Sequence, residues 1–157
     1  MLLGKTLAVA LESMNSSPLR SRHAINLIVG HMIEIHETGS EIAQHRFAVR
    51  INAYIYGFTR IDRSGDEVEI LHFHWDRLPS PGNLYPPGHL HLGQGILAKP
   101  TFLRAGDFHR AHVPTGRVSL ESIIRFAITE LEVEPLNGSW ARVLADTESQ
   151  TMMFTAS

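Results

Sequence analysis

The sequence predicts an α+β fold: an N-terminal helix, a four-stranded antiparallel meander and a C-terminal helix packed on one face of it. Three observations carry that expectation. Four segments alternate apolar and polar residues, the period of a half-buried strand. The links between them are short or rich in turn residues, which favours antiparallel neighbours. Two further segments carry apolar residues at helical intervals, so each has a stripe to bury on the sheet.

Leu3, Leu7, Ala10, Leu11 and Met14 keep helical spacing, and the stretch "NSSP" ends the segment, so a short amphipathic helix is expected there. In "AINLIVGHMIEI" Ile25, Leu27, Val29, Ile33 and Ile35 share one face of an extended chain, with a helix as the competing reading. "RFAVRINAYIYGF" sets Phe47, Val49, Ile51, Ala53 and Ile55 against Arg46, Arg50, Asn52, Tyr54 and Tyr56, which reads as a strand with the first set inward. "DRSGDE" supplies hairpin-turn chemistry. "EVEILHFHW" follows as a strand with Val68, Ile70, His72 and His74 on one face and Leu71, Phe73 and Trp75 on the other. After a proline- and glycine-rich connection, "GHLHLGQGILA" is short and extended, with His89 and His91 on a common face.

The last helix is read from Leu120, Ile123, Ile124, Ala127, Ile128 and Leu131, with Ser119 as its N-cap and Pro135 as a stop. Residues 1–145 are expected to form one domain and 146–157 a flexible tail, because "ADTESQTMMFTAS" lacks periodicity.

With 157 residues, 43% apolar and 19% charged, the chain has an ordinary globular balance. A net charge of -2 excludes a global basic field for nucleic acid or anionic membrane. The absence of cysteine excludes disulfides, thiolate metal sites and a cysteine nucleophile. Lys5 and Glu12 break the first apolar run and no stretch is long enough to span a bilayer, so a cytoplasmic protein without signal peptide or membrane contact is expected.

The unusual count is ten histidines, six of them in close pairs: His72 and His74, His89 and His91, His109 and His112. Residues two apart in a strand point the same way. If the strands carrying the first two pairs are neighbours, four imidazoles converge, and His109 and His112 can approach the same edge. Neutral imidazole suits zinc, nickel and copper, with zinc the first choice, so these six are the candidate metal ligands. No motif of the His-Glu-x-x-His kind accompanies them. The metal-free alternative uses imidazole as acid and base near neutral pH, with Arg77, Arg104, Arg110 or Arg117 on a phosphate. A solvated polar face is the plain alternative to both. Trp75 can stack a base or fill the core, and Asp76 can orient an imidazole or serve the turn that follows it.

The stretch "HFHWDRLPSPGNLYPPGHLHLG" resembles the core of the TumE-type toxin family of bacterial toxin–antitoxin systems. Trp75, Asp76 and Pro79 match its Trp-Asp-Asn-x-Pro motif with Arg77 in place of Asn. Pro87, His89 and His91 match its Pro-His-His-x-His motif with Gly88 in place of the first His. Ser80 and Pro81 stand where the family has paired histidines. The resemblance covers about twenty residues and implies a small toxin that acts on RNA and is neutralised by an antitoxin protein. A weaker similarity, in element order and in Tyr85, Pro86 and Pro87, is to ubiquitin-conjugating-enzyme-like domains. Without cysteine, it implies only a non-catalytic protein-binding module.

The leading expectation is therefore a TumE-like toxin or accessory protein with ribonuclease-type chemistry. Its catalytic residues would be His74, His89 and His91 with Asp76, and its substrate-binding residues Arg77, Arg117 and Trp75. A binding module and a metal protein stand beside it. The oligomeric state has no signature in the sequence.

Overall fold

In a computed structural model, residues 7–21, 24–37, 47–77, 81–82, 84–93 and 112–155 are described. They form six strands, β1 (Leu7–Pro18), β2 (Ile25–Glu37), β3 (Phe47–Ile61), β4 (Glu67–Asp76), β5 (Gly88–Leu92) and β6 (Val113–Pro114). Two helices follow, α1 (Leu120–Glu130) and α2 (Trp140–Thr155). The strands lie in chain order in one antiparallel sheet. The α+β class and the antiparallel chain order of the expected strands are as read from the sequence, and the sheet is wider by one strand at each edge.

The first element is corrected. The segment expected as a helix is β1, paired with β2 from Leu7↔Ile35 to Pro18↔Asn26 with an irregularity between Ser13 and Ser17. Leu7, Val9 and Leu11 fit a two-residue period as well as Leu7, Ala10 and Leu11 fit a helical one. Pairing with the 13-residue β2 supplies a long ladder, whereas an isolated helix of this length is marginal in water.

β3 corrects the second expectation. Its core residues are Tyr54, Tyr56 and Phe58, at most 3% exposed, not Ala53 and Ile55. The cause is a bulge: Met32 pairs with Ala53 but the next residue, Ile33, pairs with Ile51, leaving Asn52 as the extra residue. A one-residue slip exchanges faces, so Ile51 and Tyr54 both meet the core. The phenols enter because their hydroxyls find partners: Val118 N–H donates to the Tyr54 oxygen at 2.6 Å, and the Tyr56 hydroxyl lies 2.7 Å from His31 Nε2. A second bulge, at Ile70, turns that side chain toward the core, while Leu71, Phe73 and Trp75, set apart from His72 and His74 by alternation, face inward.

α1 closes this face through Ile123 and Ala127, with Phe126 against Phe58 and Phe73 at ring-centre distances of 5.8 and 6.3 Å. The expected N-cap is present: Ser119 Oγ accepts from Ser122 N–H at 3.1 Å. The helix ends before Pro135, with Glu132 at φ 53 and Val133 N–H bonded back to the Ala127 carbonyl, a left-handed C-terminal cap.

The expected tail 146–157 is helical as far as Thr155. Its few apolar residues hide the pattern, but Leu144 is buried, and Glu148 accepts from Ser119 and Ser122 and pairs with Arg125 at 3.5 Å. These bonds fix α2 on the start of α1, so the packed unit continues past residue 145. No helix among the described residues is long and apolar enough to cross a membrane.

Candidate metal centre

The helices cover the face of Leu71, Phe73 and Trp75, so strand alternation puts His72 and His74 on the opposite face. Register then decides what they meet. His72 pairs directly with His91 and His74 with His89 across β4 and β5. β6 adds a third column: Val113 pairs with Leu90 and Pro114 with His89, which brings His112 beside His91. Five of the six candidate ligands therefore gather on one face. His109 lies outside the described residues.

The ring centres are close: His74–His89 5.1 Å, His89–His91 4.8 Å, His91–His112 4.5 Å and His89–His112 5.0 Å. His74, His89 and His91 each present a ring nitrogen, and these three atoms lie within 4.8 Å of one another. A tetrahedral zinc with nitrogens at about 2.0–2.1 Å needs them roughly 3.4 Å apart.

His89 is the hub and is 1% exposed. Its Nδ1 sits 2.7 Å from the Pro86 carbonyl oxygen. A carbonyl only accepts, so Nδ1 carries the hydrogen and Nε2 holds the lone pair. That Nε2 is buried with no hydrogen-bond partner among the described residues. A ring held by its far N–H on a backbone carbonyl, with the other nitrogen bare, is how proteins orient a metal-ligating imidazole. An unpartnered buried nitrogen otherwise costs about 1–3 kcal/mol.

The electrostatics agree. Burial first, and then the crowd of neighbouring imidazoles, push the His91 pKa down to about 4. Burial likewise lowers His74, with Asp76 opposing, and His89, with the Pro86 bond opposing. All three are neutral at pH 7 and bind a cation without first releasing a proton. His72 is engaged otherwise: its Nδ1 lies 2.9 Å from Glu69 Oε2, and its ring stacks on His91 at 4.3 Å and 21°. Its ring therefore packs face to face on His91 while one of its nitrogens is engaged by Glu69.

Glycine placement builds the site. A Cβ on Gly88 would press on the Thr115 and Gly116 carbonyl oxygens at 2.8 and 3.0 Å, so only glycine lets the chain before α1 approach β5. Thr115 N–H then bonds to the Gly88 carbonyl at 2.9 Å and seats β6. Gly88 is thus required by backbone contact.

Asp76 lies next to His74 on the same face of β4, and its charge favours the protonated form of that imidazole. The expected substrate-binding residues are elsewhere. Trp75 is on the helix side, stacked on Tyr54 at 5.7 Å, with the Arg117 guanidinium 4.9 Å above it. Arg77 follows β4 with its amide on the Asn52 carbonyl and its side chain exposed. Sequence reasoning gave no site role to Tyr85, whose ring lies flat on His112 at 4.4 Å and edge-on to His89 at 5.0 Å. Its only signal was a Tyr-Pro-Pro turn beside the His-x-His pair.

Comparison of the chain with protein-family models, with curated proteins and with solved structures finds no match to any of them.

Proposed function

We propose that the protein binds a divalent transition metal, zinc foremost, through His74, His89 and His91. One observation carries the reading: His89 is buried, its tautomer is set by the Pro86 carbonyl so that its unpartnered Nε2 is free to ligate, and one of its ring nitrogens lies within 4.8 Å of nitrogens of His74 and His91. An all-imidazole set suits zinc, nickel and copper and gives little to magnesium or calcium, which prefer oxygen.

The toxin-like alternative, RNA cleavage by the same imidazoles as acid and base, asks one of them to carry a proton near neutral pH. Burial works against that at all three, which supports the metal reading over this one. Elemental analysis of untagged protein tests it. Near-stoichiometric zinc, nickel or copper, lost in the His89→Ala/His91→Ala double variant, is the expected result. A metal-free chain that takes up no added zinc, and that cleaves RNA in the presence of a chelator, would move the assignment to the ribonuclease.

A further inference from the structure

We infer that the centre is closed by a fourth imidazole, His112, so that a bound ion fastens the segment leading into α1 onto the sheet. The inference rests on the three-histidine reading above and goes beyond it, because a closed site holds a metal without leaving a position for substrate.

Distance comes first. In an imidazole complex the ring centre lies about 1.2 Å beyond the ligating nitrogen, so two rings on one tetrahedral ion have centres roughly 5 Å apart. His112 stands 5.0 Å from His89 and 4.5 Å from His91 by that measure, in the same range as the 5.1 Å between His74 and His89. What His112 lacks is orientation, since its nitrogens are not in the converging group. Its ring lies parallel to Tyr85 instead, at an interplanar angle of 1°. Rotation off that stack needs no backbone movement, and no hydrogen bond among the described residues holds its nitrogens.

The alternatives for the fourth place are weaker. His72 lies nearly parallel to His91 with a nitrogen on Glu69, and stacked rings cannot aim their edges at one ion. Asp76 lies past the Trp75↔Gly88 end of the β4–β5 ladder.

The consequence is mechanical. β6 has two residues, both exposed, and joins β5 through two residue pairs. Such a strand is weakly held. A bond from the ion to His112 ties it to β4 and β5 at once. The Ser119 cap of α1 lies seven residues on, so metal occupancy sets how firmly this connection is held.

Cobalt(II) titration of the untagged full chain, followed by visible absorption with azide as a probe for an exchangeable position, tests the inference. The expected result is a tetrahedral cobalt spectrum that a tenfold excess of azide leaves unchanged. His112→Ala, and His112→Gln as a second variant of closer size, should bind cobalt at least tenfold more weakly and take up azide. Hydrogen exchange at residues 112–119 should slow with zinc in the wild type and not in either variant. Azide uptake by the wild type, or equal cobalt affinity in a folded His112 variant, would overturn the fourth ligand and leave the other three standing. Failure of the wild type to bind cobalt would remove the underlying metal reading itself.

Discussion

Replacing His89 with leucine separates a ligand from a structural core residue. The two side chains are close in size, so packing changes little. Removal of the buried, unpartnered Nε2 relieves about 1–3 kcal/mol, while loss of the N–H on the Pro86 carbonyl costs about 1 kcal/mol. The metal-free variant should therefore be between unchanged and about 2 kcal/mol more stable than the wild type. For 157 residues that is a rise in Tm of up to about 8 °C. Zinc at a hundred times its Kd should add about 2.7 kcal/mol, or roughly 5–10 °C, to the wild type and almost nothing to His89→Leu. Scanning calorimetry with and without zinc reads both numbers. A loss of more than about 2 kcal/mol in the metal-free variant would show that His89 belongs to the core. An undiminished zinc shift would remove it from the metal centre.

Three further outcomes follow. The metal-free protein should lose stability as the pH falls from about 6.5 toward 4: the His91 imidazole holds a proton at pH 5–6 when unfolded but not when folded, so the unfolded state binds more protons there. The drop from 6.5 to about 4 corresponds to about 3 kcal/mol, reduced to roughly 1–2 by solvent at this partly exposed ring; urea midpoints that stay flat from pH 7 to 4.5 would contradict it. Tyr54→Phe leaves the Val118 N–H without its acceptor and should cost about 1–3 kcal/mol by urea unfolding, with zinc stabilisation unchanged because Tyr54 lies on the other face. Gly93→Ala would drive a Cβ into the Glu69 carbonyl, where Gly93 N–H closes the β4–β5 ladder on the Ile70 carbonyl. It should cost more than about 3 kcal/mol, and a thermal midpoint within 2 °C of the wild type would mean the ladder end is loose.

Local pattern was enough for much of this molecule. Alternation set Leu71, Phe73 and Trp75 against His72 and His74, and the Ser119 cap and apolar stripe of α1 were both legible, because each depends on neighbours within a turn or two. The histidine pairs were visible for the same reason. Three things depended on distant partners. Residues 7–18 are a strand because β2 lies beside them, and their own spacing serves a helix equally well. Tyr54 and Tyr56 point inward because one bulged residue, Asn52, shifts the face, and a bulge is a property of two strands together. Convergence of His74, His89 and His91 needed register, which pairs His74 with His89 across β4 and β5. Trp75 was already parted from the cluster by alternation along β4, and Arg117 joins it on that other face by lying over its ring. Sequence determined which residue types alternate and where turns occur; only tertiary pairing, through register and bulges, decided which imidazoles meet and which side each expected partner takes.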